Sequence, residues 1–145
     1  MNMSNFAERL SELIFDEKLS VPQFAEKLDC ERATINRYLS GTRMPDTKIA
    51  VKMADFFQCT VDFLLGNVEQ NDAKSFTPYL SFKGRLTYLC KLYHTTKYQI
   101  NKQTKLAYSA LDYWDNGERT PSIDSIERLA QFFDCSMDFI LGREK

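Results

Sequence analysis

Sliding the sequence along itself by 76 residues, without a gap, places Phe6 on Phe82, Arg9 on Arg85, Leu10 on Leu86, Leu13 on Leu89 and Gln23 on Gln99. The same shift lays Gly41 on Gly117, Arg43 on Arg119, Pro45 on Pro121, Ala54 on Ala130 and Phe56-Phe57 on Phe132-Phe133. It also lays Cys59 on Cys135, Asp62-Phe63 on Asp138-Phe139 and Leu65-Gly66 on Leu141-Gly142. Chance does not produce such a series, so the chain is read as two tandem copies of one fold. The copies fall at 1–66 and 79–145. Between them 67–78 is polar, lacks periodicity and ends in Pro78, as a linker does.

Each copy reads as five short helices, an all-α architecture. In the first copy Phe6, Leu10, Leu13 and Ile14 recur at helical spacing and predict an amphipathic opening helix over 4–17. Asp46 is placed to cap a fourth helix whose inward face carries Ile49, Ala50, Met53 and Phe57. Thr60 caps a short closing helix ending at Gly66. In each Phe-Phe pair, one ring is expected to be buried against the opening helix and the other less enclosed.

Residues 20–41 carry the most specific local signal, that of two short helices joined by a tight turn. Ser20 is a good N-cap and Gln23, three residues on, completes a capping box. Pro22 fits the first helical turn, whose amides have no intrahelical acceptor to lose. Phe24, Ala25 and Leu28 share a face, and Ala25 is small enough to admit a crossing helix. Asp29 tolerates the left-handed backbone of a turn. The second helix is expected from Arg32 to Leu39, with Ile35 and Leu39 inward, Gly41 just past its end, and Arg32, Ala33, Asn36 and Arg37 outward.

The stretch resembles the helix-turn-helix of the lambda-repressor-like, Xre-type family of bacterial and phage DNA-binding proteins. The likeness rests on Ala25, Thr34-Ile35, Tyr38, Gly41 and Pro45, continues through 49–54 and reaches the closing 59–66. Two positions depart from the pattern: Asp29 stands at the usual turn glycine and Glu31 at the usual Ser or Thr cap of the second helix. The resemblance implies double-stranded DNA as partner, with Arg32, Ala33, Asn36 and Arg37 facing base edges. Arginine can present two donors to guanine, asparagine a donor and an acceptor to adenine, and an alanine methyl can touch that of thymine. Gln23, Thr34, Thr42, Arg43 and Lys48 would then hold phosphates and fix register. Extended, the 12 residues of 67–78 would span at most about 40 Å. That is comparable to the roughly 34 Å between successive major-groove faces, so one chain could reach two half-sites.

The second copy alters the working surface. Arg32, Asn36 and Arg37 become Tyr108, Asp112 and Tyr113, and Asn101 and Thr104 replace Ala25 and Leu28. Acids and aromatics suit a protein contact better than a groove lined by phosphates. Lys97, Gln99, Lys102 and Lys105 are the rival signal, candidates for contact with a DNA backbone. Residues 79–145 carry 10 Lys and Arg against 8 acids, and 1–66 carry 8 against 10. The copy with the better reading helix is thus the more acidic. The second copy is read as a docking or dimerisation copy, giving a homodimer through it or through the closing helices.

The net charge of −1 withholds the basic balance that many nucleic-acid binders show, but a small reader needs only a local positive face. There is no signal peptide core and no apolar run long enough to span a membrane, so a cytoplasmic location is expected, with Cys30, Cys59, Cys90 and Cys135 reduced. No CxxC spacing, phosphate-binding glycine loop or nucleophile motif is present, and His94 is the one histidine. Neither metal, cofactor nor enzymatic activity is expected. The sequence is read as a sequence-specific DNA-binding transcriptional regulator of the repressor type. The alternative is an antitoxin or partner-binding regulator that uses the same fold mainly for protein contacts.

Overall fold

A computed structural model describes residues 3–72 and 75–144. The chain divides into two units, Met1–Ala73 and Lys74–Lys145. The first holds α1 (Met3–Asp16), α2 (Val21–Leu28), α3 (Arg32–Leu39), α4 (Thr47–Phe57) and α5 (Val61–Leu64). The second holds α6 (Arg85–Leu92), α7 (Lys97–Thr104), α8 (Tyr108–Asn116), α9 (Ile123–Phe133) and α10 (Met137–Leu141). Among the described residues the fold is all-helical, with a single isolated bridge between Phe76 and Glu144.

In unit 1, α1 buries Phe6, Leu10 and Ile14 and packs on α3 and α5. Phe6 meets Tyr38 edge-on, with ring centroids 5.9 Å apart. Here the sequence expectation is corrected. Tyr38, not Leu39, fills the core beside Ile35: Tyr38 is 1% exposed, whereas Leu39 is half-buried. Residues 35 and 38 lie one helical turn apart on the face that meets α1, and position 39 is carried to its flank.

The Phe-Phe pairs also behave differently from one another. Phe56 and Phe57 are both half-buried and both pack on Phe24 of α2, at 5.7 and 5.4 Å, rather than one of them being buried against α1. In unit 2 Ile100 stands where Phe24 would, and without that ring Phe133 is buried beside Tyr93, 4.9 Å away at the end of α6, while Phe132 is half-buried. Two positions differ between the units here: Ile100 replaces Phe24, and Tyr93 stands where unit 1 has Glu17.

Unit 2 packs α6 on α8 and α10, α7 on α8 and α9, and α9 on α10. Its opening helix has 8 residues where α1 has 14. Gly84, at φ 78°, starts it late with its amide bonded to the Asp115 carbonyl at 2.8 Å. Asn101 and Thr104, which stand where unit 1 has Ala25 and Leu28, are engaged in local hydrogen bonds. Asn101 donates to the Leu106 carbonyl at 2.7 Å, and Thr104 to that of Ile100 at 2.6 Å.

Residues 67–78 are fastened at both ends. On the unit 1 side Arg9 donates to the Val68 carbonyl at 3.3 Å, and Asn71 accepts from the Thr60 amide and donates to the Gln58 carbonyl, each at 3.2 Å. On the unit 2 side the Thr77 amide donates to the Arg143 carbonyl at 2.7 Å, and the buried Arg143 guanidinium, paired with Asp138, lies 4.0 Å from the Phe76 ring centroid.

Candidate nucleic-acid interface

The surface of interest is built by α2, the turn after it, α3 and the loop leading to α4. α2 begins with the capping box read from the sequence: Ser20 Oγ accepts from the Gln23 amide at 3.2 Å, and Gln23 Oε1 accepts from the Ser20 amide at 2.8 Å. That bond occupies the carbonyl end of the Gln23 side chain and leaves its amide end, the donor a phosphate requires, uncommitted. Phe24, Ala25 and Leu28 anchor the opposite face, each no more than 2% exposed.

Asp29 ends α2 at φ 55°, in the left-handed region. The Cys30 and Asp29 amides return to the Ala25 and Glu26 carbonyls at 2.9 and 3.1 Å, so this turn closes without glycine. Glu31 precedes α3 in extended conformation and offers no side-chain cap, as its carboxylate makes no bond to the α3 amides.

With Ile35 and Tyr38 sealed in the core, α3 presents Arg32, Ala33, Asn36 and Arg37 outward, and all four are exposed. Among the described residues Arg32, Arg37, Arg43 and Lys48 form no ion pair. Their guanidinium and ammonium donors are thus directed to solvent. Thr34 is half-buried.

The end of α3 has a feature the sequence reading missed. Ser40 and Thr42 both return their hydroxyls to the Arg37 carbonyl, at 3.1 and 3.2 Å, and their oxygens are 3.0 Å apart. The Thr42 amide reaches the same carbonyl at 3.0 Å around Gly41, whose φ is 75°. Thr42 therefore spends its hydroxyl proton on the helix end, and only its release would let it donate to a phosphate. The Ser-Gly-Thr run at 40–42 was the available signal. Arg43 is exposed in the following loop, and Lys48 is exposed in the first turn of α4, where Asp46 accepts from the Ile49 amide at 2.8 Å.

In unit 2 the corresponding face is differently wired. Lys97 Nζ lies 3.0 Å from carboxylate oxygens of both Asp112 and Asp115. Asp115 in turn accepts from the Thr87 amide at 3.1 Å and from its hydroxyl at 2.5 Å. Burial disfavours both charges, yet these hydrogen bonds prevail. They hold the Asp115 carboxyl below its ordinary value and the Lys97 ammonium above its own. Lys97 is thus occupied within its unit, while Gln99, Lys102 and Lys105 are exposed. On α8, Trp114 is buried and Tyr113 is half-buried with Arg119 4.4 Å from its ring centroid, while Tyr108 is exposed. The closing helices leave little open apolar surface: Leu64 and Ile140 are buried, and Phe63 and Phe139 half-buried.

Among the described residues no group of three or more His, Cys, Asp or Glu is placed to hold a metal ion, and no helix is long and apolar enough to cross a membrane.

A short helix anchored by Phe24 and Leu28, a tight turn, and a second helix with its polar face outward define unit 1 as a DNA-binding helix-turn-helix domain of the lambda-repressor-like kind. Residues 17–64, within unit 1, match the helix-turn-helix family model. No curated protein matches the chain. A solved structure, "Crystal structure of transcriptional regulator from Listeria innocua", is 26% identical over 77% of this chain and 96% of that one, with a TM-score of 0.41.

Proposed function

We propose that the protein is a sequence-specific transcriptional repressor that acts by occupying its DNA site, with unit 1 as the reading copy and unit 2 as a docking or dimerisation copy. The observation that supports this most directly is the outward face of α3. Arg32, Ala33, Asn36 and Arg37 are exposed together on a helix whose other face is sealed by Ile35 and Tyr38. Those four residue types suit guanine, thymine and adenine edges in the major groove, with Arg43, Lys48, Gln23 and Thr34 disposed toward phosphates. For unit 2, the capture of Lys97 by Asp112 and Asp115 favours docking over backbone contact.

The experiment is selection of duplexes from a random pool by the full chain, repeated with residues 1–73 alone. A shared preferred motif, bound more weakly by the fragment, is the expected result, since a linked second copy raises affinity through effective concentration or dimerisation. A motif that changes when unit 2 is removed would make unit 2 a reader, and failure to enrich any motif would defeat the function proposed.

A second reading, a regulator working mainly through a protein partner, has support in the exposed tyrosines of unit 2. Tyr88, Tyr98 and Tyr108 are 49, 57 and 46% exposed, and tyrosine is enriched at protein contacts. Copurification with a small protein partner in place of duplex selection would favour it.

A further inference from the structure

We propose that Lys52 is a positioning residue for DNA reading, holding the α2–α3 turn so that α2 and α3 meet one duplex in a fixed register. The inference rests on the reading of unit 1 as the DNA-reading copy. From α4, the Lys52 ammonium donates to the Leu28 carbonyl at 2.5 Å. Leu28 is the last residue of α2, and its carbonyl is among the acceptors that a helix end leaves without an intrahelical partner. A cation there also meets the negative end of the helix dipole. The Cys30 thiol donates weakly to the same oxygen at 3.6 Å, so two side chains converge on the turn.

The clamp matters because the turn lacks glycine. Asp29 holds a left-handed conformation that costs a non-glycine residue energy, at φ 55°, and no side-chain cap secures the start of α3. Gln23 lies before the turn and Arg32, Ala33, Asn36 and Arg37 after it. A small change of the turn would set phosphate and base contacts out of step. Lys52 is thereby distinguished from Arg43 and Lys48, whose ammonium and guanidinium groups are not spent within the protein.

Lys52→Met keeps the aliphatic stem and removes the donor, and Lys52→Arg keeps a charged donor. Both are measured in the full chain on a selected duplex and on a scrambled duplex of equal length, over a range of salt. Lys52→Met is expected to lower affinity for the selected duplex about fivefold, to leave the scrambled duplex unaffected and to preserve the salt slope, with Lys52→Arg recovering most of the loss. An equal loss on both duplexes, with a slope shallower by about 0.9, would make Lys52 a phosphate contact and overturn the proposal. So would unchanged affinity for the selected duplex.

Amide hydrogen exchange in the free protein reads the clamp without DNA. The Asp29 and Cys30 amides are expected to exchange faster in Lys52→Met while those of α4 do not. Uniform acceleration would mean general destabilisation, and no change would mean no clamp; either defeats the proposal. If the wild-type chain selects no duplex, the DNA-reading function itself fails, which is distinct from a normal selection that Lys52→Met leaves untouched.

Discussion

The guanidinium of Arg9 donates to the carbonyl of Phe63 at 2.5 Å and at the same time lies 3.9 Å from the centroid of that residue's ring. One side chain of α1 thus adds a second donor to an α5 carbonyl that already accepts from the Gly66 amide at 3.0 Å, and covers the ring of the same residue. Seventy-six positions on, Arg85 donates to the carbonyls of Phe139 and Ile140 at 2.5 and 3.0 Å, with its guanidinium over Tyr88 instead. The Arg9–Arg85 coincidence in the repeat therefore reflects a fastening of the closing helix to the opening one.

Arg9→Met should lower the stability of unit 1 by about 1–3 kcal/mol, through a lost charged hydrogen bond and cation–π contact. Arg9→Lys should recover only part, because an ammonium cannot donate in a fork and stack flat together. Urea unfolding of residues 1–73 measures both.

On the reading face, Arg37→Ala or Arg32→Ala should lower affinity for the selected duplex by about 1–3 kcal/mol and relax the preference at one base position. Arg43→Ala should weaken selected and scrambled duplexes alike and make the salt slope shallower by about 0.9. Titrations against single-base variants of the selected duplex separate the two patterns.

Phe24 receives both Phe56 and Phe57 and is 0% exposed. Phe24→Ala should cost about 3–5 kcal/mol, enough to unfold a domain of this size. Phe56→Ala, at a half-buried ring, should cost distinctly less. Thermal unfolding ranks them, and a Phe56 variant as damaging as the Phe24 variant would contradict this account of the core.

The Lys97–Asp115 pair predicts a pH profile for unit 2. The Asp115 carboxyl lies below its ordinary value in the folded state, so its contribution is fully present above about pH 4 and is lost as pH falls through the folded value. Lys97 is raised, so its contribution is full below about pH 10 and is lost only as pH rises beyond that. Asp115→Asn should cost about 1–3 kcal/mol at neutral pH and flatten the acid limb. Unfolding of the full chain at pH 3 and pH 7, followed by the Trp114 fluorescence of unit 2, tests it.

Much of the outer face of α2 and α3 was legible because its signals are local. The Ser20–Gln23 capping box, the left-handed Asp29 and the 32–39 span of α3 depend on residues within one or two turns, and local hydrogen bonding decides them. The outward set Arg32, Ala33, Asn36 and Arg37 followed from helical periodicity once Ile35 was taken as inward. Lys52 was not legible, since nothing in a lysine on α4 announces that its ammonium meets a carbonyl 24 positions earlier. The half-burial of Tyr113, read from the sequence as part of a contact face, was not legible for the same reason: burial depends on which helix lies opposite.

From the sequence alone came the all-helical class, the internal repeat and the position of the helix-turn-helix, each encoded in spacing, capping and turn residues that act over short stretches of chain. Only the tertiary structure decided that Tyr38 rather than Leu39 enters the core, that Phe24 gathers both phenylalanines while Ile100 leaves Phe133 to Tyr93, and that 67–78 is bound at both ends. These outcomes turn on the size of side chains contributed by distant helices and on which carbonyls remain unserved once the helices have packed. A one-dimensional pattern carries neither quantity, because packing is settled jointly by all the elements that share a core.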